Sequence, residues 1–543
     1  MKLLFSIKVI TLLVTLALLE SIFSNLNLGI LASSAFRMLF YLLLYLFSYY
    51  VCNLGNKGSL ILIILIGTVN VLTIFTNLAW VEVAMFWVLF NFALYKILEK
   101  YPNLNRIIYI LLFVVLNLKI LLSVTISHWD LRGFVEFIQT FISQNFANPW
   151  EYYSLNPANI NAQLPADTLI TPKITFPYPS GMLYLLTSFS LETSVLWNFT
   201  NPNTSNFLSL FSIRIPVIMA DLLILNLILN WIKITKYSPN LSILWFLSPI
   251  VGISAYLHGQ LDLIPTALFC LTVELIRQER LKLSVVILTI GYVVKSYFSL
   301  IVLPFIFYLG NFWGKTKAKE KIEIILLPIV IVILSLLPFG FSNGYQEIIS
   351  NQVARNTILE GLKIPIGQWN TFPLSVAAII VFYLIIISNI HKINDWLKFM
   401  FVFGSILILV PSLTTSSIAW FTWALPAVTV FYITKSKREF LGVFPLIAFS
   451  IFYSLYFLGW QYSSFWFSFT ELKEMFPEIF TMKIASWSSA KFISSGTAEV
   501  KPAAFQLSSI ILTTMNTTGL YIAVHMLLSF LSDKKIKKDF QAY

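Results

Sequence analysis

The chain has 543 residues, 58% hydrophobic and 11% charged, with a mean hydropathy of +0.82. Soluble domains carry about 25% charged residues, so an ordinary soluble fold is excluded, and apolar runs near twenty residues long point to membrane helices rather than barrel strands. The net charge of +12 falls in clusters, which reports membrane topology, or an anionic lipid surface, rather than nucleic acid.

The predicted class is an all-α polytopic membrane protein. Apolar runs predict helices near 3–23, 31–52, 58–76, 79–97 and 107–126. The first run follows Met1 and Lys2 but lacks a convincing small-residue cleavage site, so it reads as a retained helix rather than a signal peptide. A long polar loop spans 127–176. An apolar segment at 178–198 precedes helices near 206–231, 240–257, 261–277, 281–296, 298–310 and 322–339. A second polar loop runs over 340–371. Helices near 372–390, 396–411, 415–433 and 440–458 follow, then a third loop over 459–504 and a last helix over 505–531. Cys52 and Cys270 fall at or in apolar runs and frame no disulfide or metal site.

Parity orders these runs. With the N-terminus cytoplasmic and 178–198 lying on or dipping into the outer face, the basic clusters Lys233/Lys236, Arg277/Arg280/Lys282, Lys315/Lys317/Lys319/Lys321, Lys435/Lys437/Arg438 and Lys534/Lys535/Lys537/Lys538 all fall inside. The three long loops fall outside, as the positive-inside rule requires. The map has about sixteen crossings and both termini cytoplasmic. No internal repeat is visible, which weighs against a transporter built from paired halves.

Polar groups collect on the outer side of this map. "TISHWDLRGFVEF" (125–137) holds His128, Asp130, Arg132 and Glu136. "AYLHGQLDLIP" (255–265) holds His258, Gln260 and Asp262. "GYVVKSYF" (291–298) holds Lys295, and the loop 340–371 adds Arg355, Lys363, Trp369 and Asn370. Ionisable groups near lipid are costly, so a shared wet cavity is expected. Plainer readings stand beside this one. Asp130 is also the first polar residue after a helix, His258 and Asp262 also suit turns, and Lys295 can snorkel. Arg214 and Asp221, seven apart on one helix face, each read as pairing structurally with neighbouring helices, and Lys119 as snorkelling or paired. The sequons at Asn198 and Asn203 read as chance.

Four stretches, "HWDLRGFVEFIQTFISQNFANPWEYYS" (128–154), "FPYPSGMLYLL" (176–186), "RIPVIMADLLI" (214–224) and the run from "SPIVGISAYLHGQLDLIP" to "GYVVKSYFSLIVLPFIFYL" (248–309), resemble in order and spacing the GT-C superfamily of membrane glycosyltransferases. The likeness is greatest to the mannosyltransferases of GPI-anchor assembly and their bacterial relatives. "IPIGQWNTFPL" (364–374) is a weaker match. The likeness covers roughly 107–375. The expected division is extra N-terminal membrane helices over 1–100, a GT-C-like catalytic module over 101–340 with its first outer loop at 127–176, and a C-terminal membrane module over 341–543. The four preceding helices, and a single clear Asp130 where an Asp-x-Asp or acidic pair would stand, depart from the family pattern.

The resemblance implies transfer of a hexose, mannose favoured, from a polyprenyl-phosphate sugar to a glycan, lipid or protein acceptor on the non-cytoplasmic face. The anomeric centre would invert. Asp130 would act as general base. Lys295, with Arg355 and Arg132 behind it, would stabilise the leaving phosphate. His258, Gln260 and Asp262 would orient sugar or phosphate, and Tyr178 joins the substrate-binding set. No cofactor is assigned, and a divalent metal stays an open alternative. Membrane lipid is an expected partner, nucleic acid is not. The setting is a bacterial plasma membrane, or the endoplasmic reticulum if eukaryotic. The rival expectations are a transporter or flippase for a lipid-linked sugar, and an inactive GT-C-like scaffold. No Walker loop, dinucleotide fingerprint, zinc cluster or serine nucleophile elbow is present.

Overall fold

The computed structural model describes residues 30–76, 79–125, 129–155, 176, 178–193, 207–313, 317–350, 363–366, 370–414, 418–435, 440–460 and 500–532. The expected helix at 3–23, His128, Arg355, Trp369 and most of the loop 459–504 lie outside these residues. The side chains of Asp130 and Arg132 also lie outside the description, although their backbone is helical.

Apolar runs give helices because lipid offers the backbone no hydrogen-bond partner. The first four are α1 (Ile30–Tyr50), α2 (Gly55–Thr76), α3 (Ala79–Leu98) and α4 (Arg106–Thr125). The polar loop that follows is itself helical, in α5 (Trp129–Ser143) and α6 (Pro149–Leu155). Polarity alone conceals α5, which is amphipathic. It buries Leu131, Phe134, Val135, Phe137, Ile138, Phe141 and Ile142, a face that recurs at three- and four-residue spacing. Next come α7 (Ser180–Thr193) and α8 (Phe207–Ile234).

The run expected as one helix over 240–257 changes its winding. In α9 (Pro239–Leu257) a 3-10 turn over Pro239–Ser242 leads into short α turns, and Gly252–Leu257 is wound as a π-helix. Pro249 lacks the amide a continuous helix would use there. The chain continues through α10 (Leu263–Arg277), α11 (Leu281–Val294), α12 (Ser299–Trp313), α13 (Ala318–Leu336) and α14 (Asn343–Ser350). The second loop also holds a short antiparallel hairpin, β1 (Lys363–Ile366) with β2 (Asn370–Pro373). It is a small exception to the all-α expectation. Then follow α15 (Leu374–Ser388), α16 (Trp396–Leu413), a 3-10 turn over Ile418–Trp423, α17 (Leu425–Lys435), α18 (Phe440–Trp460) and α19 (Val500–Leu531).

Five described helices are long and apolar enough to cross a membrane: Arg106–Thr125, Leu210–Ile234, Pro239–Leu257, Trp396–Leu413 and Ser509–Leu531. That is consistent with a membrane protein. Shorter apolar helices accompany them. The core runs through α8, α10, α16 and α17, and α16 is buried continuously from Phe399 to Leu413. Small residues set the closest approach, as is usual between membrane helices. A Cβ on Gly404 would lie 2.4 Å from the Ala427 Cβ.

The side chains and backbone joins sort into two ends. At one end Asn105 N–H meets Asn240, Trp231 meets Glu274, Tyr237 meets the Thr434 carbonyl, and Asn311 meets the Ile390 carbonyl. At the other, Ser180 Oγ donates to the Ser335 carbonyl, Gly344 N–H to Glu151, and Lys295 to Asp262. Helix α7 stays at this second end. Its start meets Ser335, and Ser190 near its C-terminus lies 3.3 Å from Ser212 near the start of α8.

A buried charged centre at one end of the bundle

The site is built on the turn that follows the π-helix. Wider winding draws the chain back on itself. The His258 amide bonds the Ile253 carbonyl, and the Gln260 amide bonds that of Ser254. Gly259 takes φ +74, a left-handed conformation that glycine adopts without a Cβ penalty. Asp262 directly precedes α10 but its side chain makes no capping hydrogen bond. The carboxylate is free to turn inward.

Three distant segments meet that carboxylate. Lys295 Nζ lies 2.6 Å from Asp262 Oδ1, and Trp423 Nε1 donates to the same oxygen at 2.6 Å. Lys295 reaches inward because α11 stops at Val294. Its own backbone is extended, and a 3-10 turn follows at Ser296–Phe298. Gly291 permits that reversal, since a Cβ there would sit 2.8 Å from the Phe298 ring. The lysine is stacked between aromatics, 4.7 Å from the Tyr178 ring centroid and 5.6 Å from that of Trp423, which stabilises a desolvated cation. The Tyr178 hydroxyl donates to Gln260 Oε1 at 3.3 Å, and Gln260 Nε2 is 3.4 Å from His258 Nε2. Asp262 Oδ2 is buried with no hydrogen-bond partner.

A second ion pair is tied to the same turn through Tyr256. Lys119 Nζ is 2.7 Å from Asp221 Oδ2 and 3.7 Å from the Phe246 ring centroid. The Tyr256 hydroxyl donates to Asp221 Oδ2 at 2.8 Å, and Trp245 Nε1 donates to Oδ1 at 3.0 Å. One carboxylate thus ties α4, α8 and two points of α9. Arg214, one turn-pair above Asp221, donates through Nη1 to the Leu122 carbonyl at 2.7 Å. Both α8 residues thus meet the neighbouring α4, Asp221 through the Lys119 side chain and Arg214 through a backbone carbonyl alone.

Of the sequence-nominated residues, Tyr178, His258, Gln260, Asp262 and Lys295 come together. The start of α5 joins them through its backbone. A Cβ on Gly259 would lie 3.3 Å from the Leu131 Cβ and 3.2 Å from Arg214 Nη2, and Leu131 directly follows Asp130. Trp423 carried no sequence signal. It sits 161 residues from Asp262 in an apolar run that reads as plain helix. Among the described residues, no three His, Cys, Asp or Glu side chains group as a metal site would need.

Beside this centre, α5 carries Glu136. Burial pushes its carboxyl up to about 7, and a hydrogen bond from Tyr153 opposes the rise. Tyr153 lies 2.9 Å from Thr140 Oγ1, within an aromatic cluster of Phe137, Trp150, Phe176 and Phe339.

The fold and site together define a class: a helical chain with the apolar spans of a membrane protein and a buried, charged, aromatic-walled centre at one end. Compared with family models, curated proteins and solved structures, the chain matches none.

Proposed function

We propose that the chain is a GT-C-like membrane glycosyltransferase with about sixteen crossings. It moves a hexose, mannose favoured, from a polyprenyl-phosphate sugar to an acceptor on the non-cytoplasmic face. The observation that supports this reading is the convergence of Tyr178, Gln260, Asp262, Lys295 and Trp423 beside the start of α5. The end where they meet is the one that positive-inside sorting assigns to the outside. Asp130, the second residue of α5, takes the proton of the acceptor hydroxyl. The acceptor oxygen then forms a bond to the anomeric carbon as the bond from that carbon to the phosphate oxygen breaks. The electron pair leaves with the polyprenyl phosphate, and the configuration inverts. Tyr178 and Trp423 offer aromatic faces to the sugar, and Gln260 and His258 offer hydrogen bonds.

A lipid-linked-sugar transporter is the second reading. The Lys119–Asp221 pair and the broken winding of α9 favour it, since buried charges and interrupted helices mark transport sites. Proteoliposomes loaded with radiolabelled polyprenyl-phosphate-mannose and an acceptor extract separate the two. A transferase moves label into a new product of opposite anomeric configuration. Label that changes leaflet with its phosphate linkage intact contradicts the transferase and supports transport.

A further inference from the structure

Five charged side chains border the turn over 252–262: Lys119, Asp221, Asp262 and Arg214, all buried, and the partly buried Lys295. Two ion pairs account for four of them. Arg214 is left over. It is 1% exposed, and among the described residues no carboxylate pairs with it. Its Nη1 donates to a backbone carbonyl, but Nε and Nη2 are buried with no hydrogen-bond partner. Among the described side chains of this region, positive charges therefore exceed negative ones by one. A buried cation without a counter-charge is among the costliest features a fold can carry, and an anion that reached it would offset that cost.

The surroundings indicate where that anion sits. Nη2 lies against Gly259, 3.2 Å from where a Cβ on that residue would sit, so the missing side chain leaves room beside the guanidinium. The first turn of α5 meets the same glycine through Leu131, and a helix start favours negative charge. Lys295 was the cation nominated for the leaving phosphate, but its charge is already balanced by Asp262.

We propose that Arg214 is the anion subsite of this centre. Its guanidinium binds the phosphate of the prenyl-linked donor and holds it as the sugar departs, while Lys295 positions Asp262. This rests on the transferase reading for the identity of the ligand. The donor's phosphodiester carries one negative charge. When the bond from the anomeric carbon to the phosphate oxygen breaks, the electron pair stays on the phosphate, which gains a second charge as the free monoester. A fork of unsatisfied donors fits that gain, because planar guanidinium matches phosphate oxygens in pairs.

The test uses the full chain in lipid nanodiscs, with farnesyl phosphate, farnesol and inorganic phosphate as probes. Wild type should bind farnesyl phosphate about 100-fold more tightly than farnesol. Arg214→Gln should bind the two equally, and its Tm without ligand should be no lower than that of wild type, since an unmatched charge has been removed. Arg214→Lys should keep part of the preference. An undiminished preference for the phosphate in Arg214→Gln overturns the proposal, and so does a wild type with no preference. Should Arg214→Gln fail to fold, Arg214→Lys decides. A preference of about ten-fold or more supports the subsite, and none overturns it. Inorganic phosphate that competes at the same concentration as farnesyl phosphate overturns the prenyl assignment. Phosphate preference without any sugar transfer leaves the subsite standing and removes the transferase reading.

Discussion

Asp262 shows how much one carboxylate holds together. It is 1% exposed and joins α10 to Lys295 and to Trp423. Breaking a buried pair costs more than forming it gains, because the remaining charge stays unsolvated. Lys295→Met is therefore expected to lose about 3–5 kcal/mol of stability, read as a lowered Tm. The double variant Asp262→Asn/Lys295→Met should recover most of that loss. If the losses simply add, the two residues are not coupled. Gly259→Ala meets two penalties, a left-handed backbone and a methyl 3.2 Å from Arg214, and should cost about 1–2 kcal/mol. An unchanged Tm in that variant would show that the turn adapts freely. The residue types of this centre were legible in the sequence. The pairings were not, because Lys295 and Asp262 lie 33 residues apart on different elements, and no local pattern encodes which lysine a carboxylate will meet. Arg214 read as structural for the same reason: a cation on an apolar helix looks alike whether its partner is present or missing.

Elements were read best where one physical signal sufficed. Long apolar runs such as α4 and α16 follow directly from hydropathy. The helices of the first polar loop were hidden because α5 spreads its apolar residues over one face instead of a run. The π-wound end of α9 was hidden because winding depends on how Tyr256 and Trp245 reach Asp221 in three dimensions. Close packing of α7 on α11 is a testable consequence. A Cβ on Gly181 would lie 2.4 Å from the Val293 carbonyl oxygen, and backbone cannot yield as a side chain can. Gly181→Ala should destabilise by about 1–3 kcal/mol, and an unaffected Tm would mean that α7 is not docked there. Helix α5 should also respond to pH. The Glu136 carboxyl titrates near 7 in the fold, above its ordinary value of about 4.3. The folded state therefore holds this proton more tightly than the unfolded state. Stability is highest below the unfolded value and falls as pH rises towards about 7. Glu136→Gln should flatten that part of the Tm-against-pH curve, and an identical slope in the variant would assign it to another group.

At the scale of the whole molecule, the contacts of the described residues gather near helix ends. Trp231 to Glu274 lies at the end with the basic clusters, and Lys295 to Asp262 at the other. Sidedness is checked by labelling. The native cysteines Cys52 and Cys270 are buried, so a new cysteine reports alone. In right-side-out vesicles an impermeant maleimide should label Gln346→Cys and spare Lys233→Cys, and the reverse would turn the site towards the cytoplasm. The central claim is tested most directly by sugar transfer itself. Purified wild type and Asp130→Asn, in lipid, are given radiolabelled polyprenyl-phosphate-mannose and an acceptor extract. The account predicts label in a new product with wild type and about a hundredfold to ten-thousandfold less with the variant. Equal transfer by the two would remove Asp130 as the base, and no transfer by wild type from the mannose, glucose or arabinose donor would contradict the transferase.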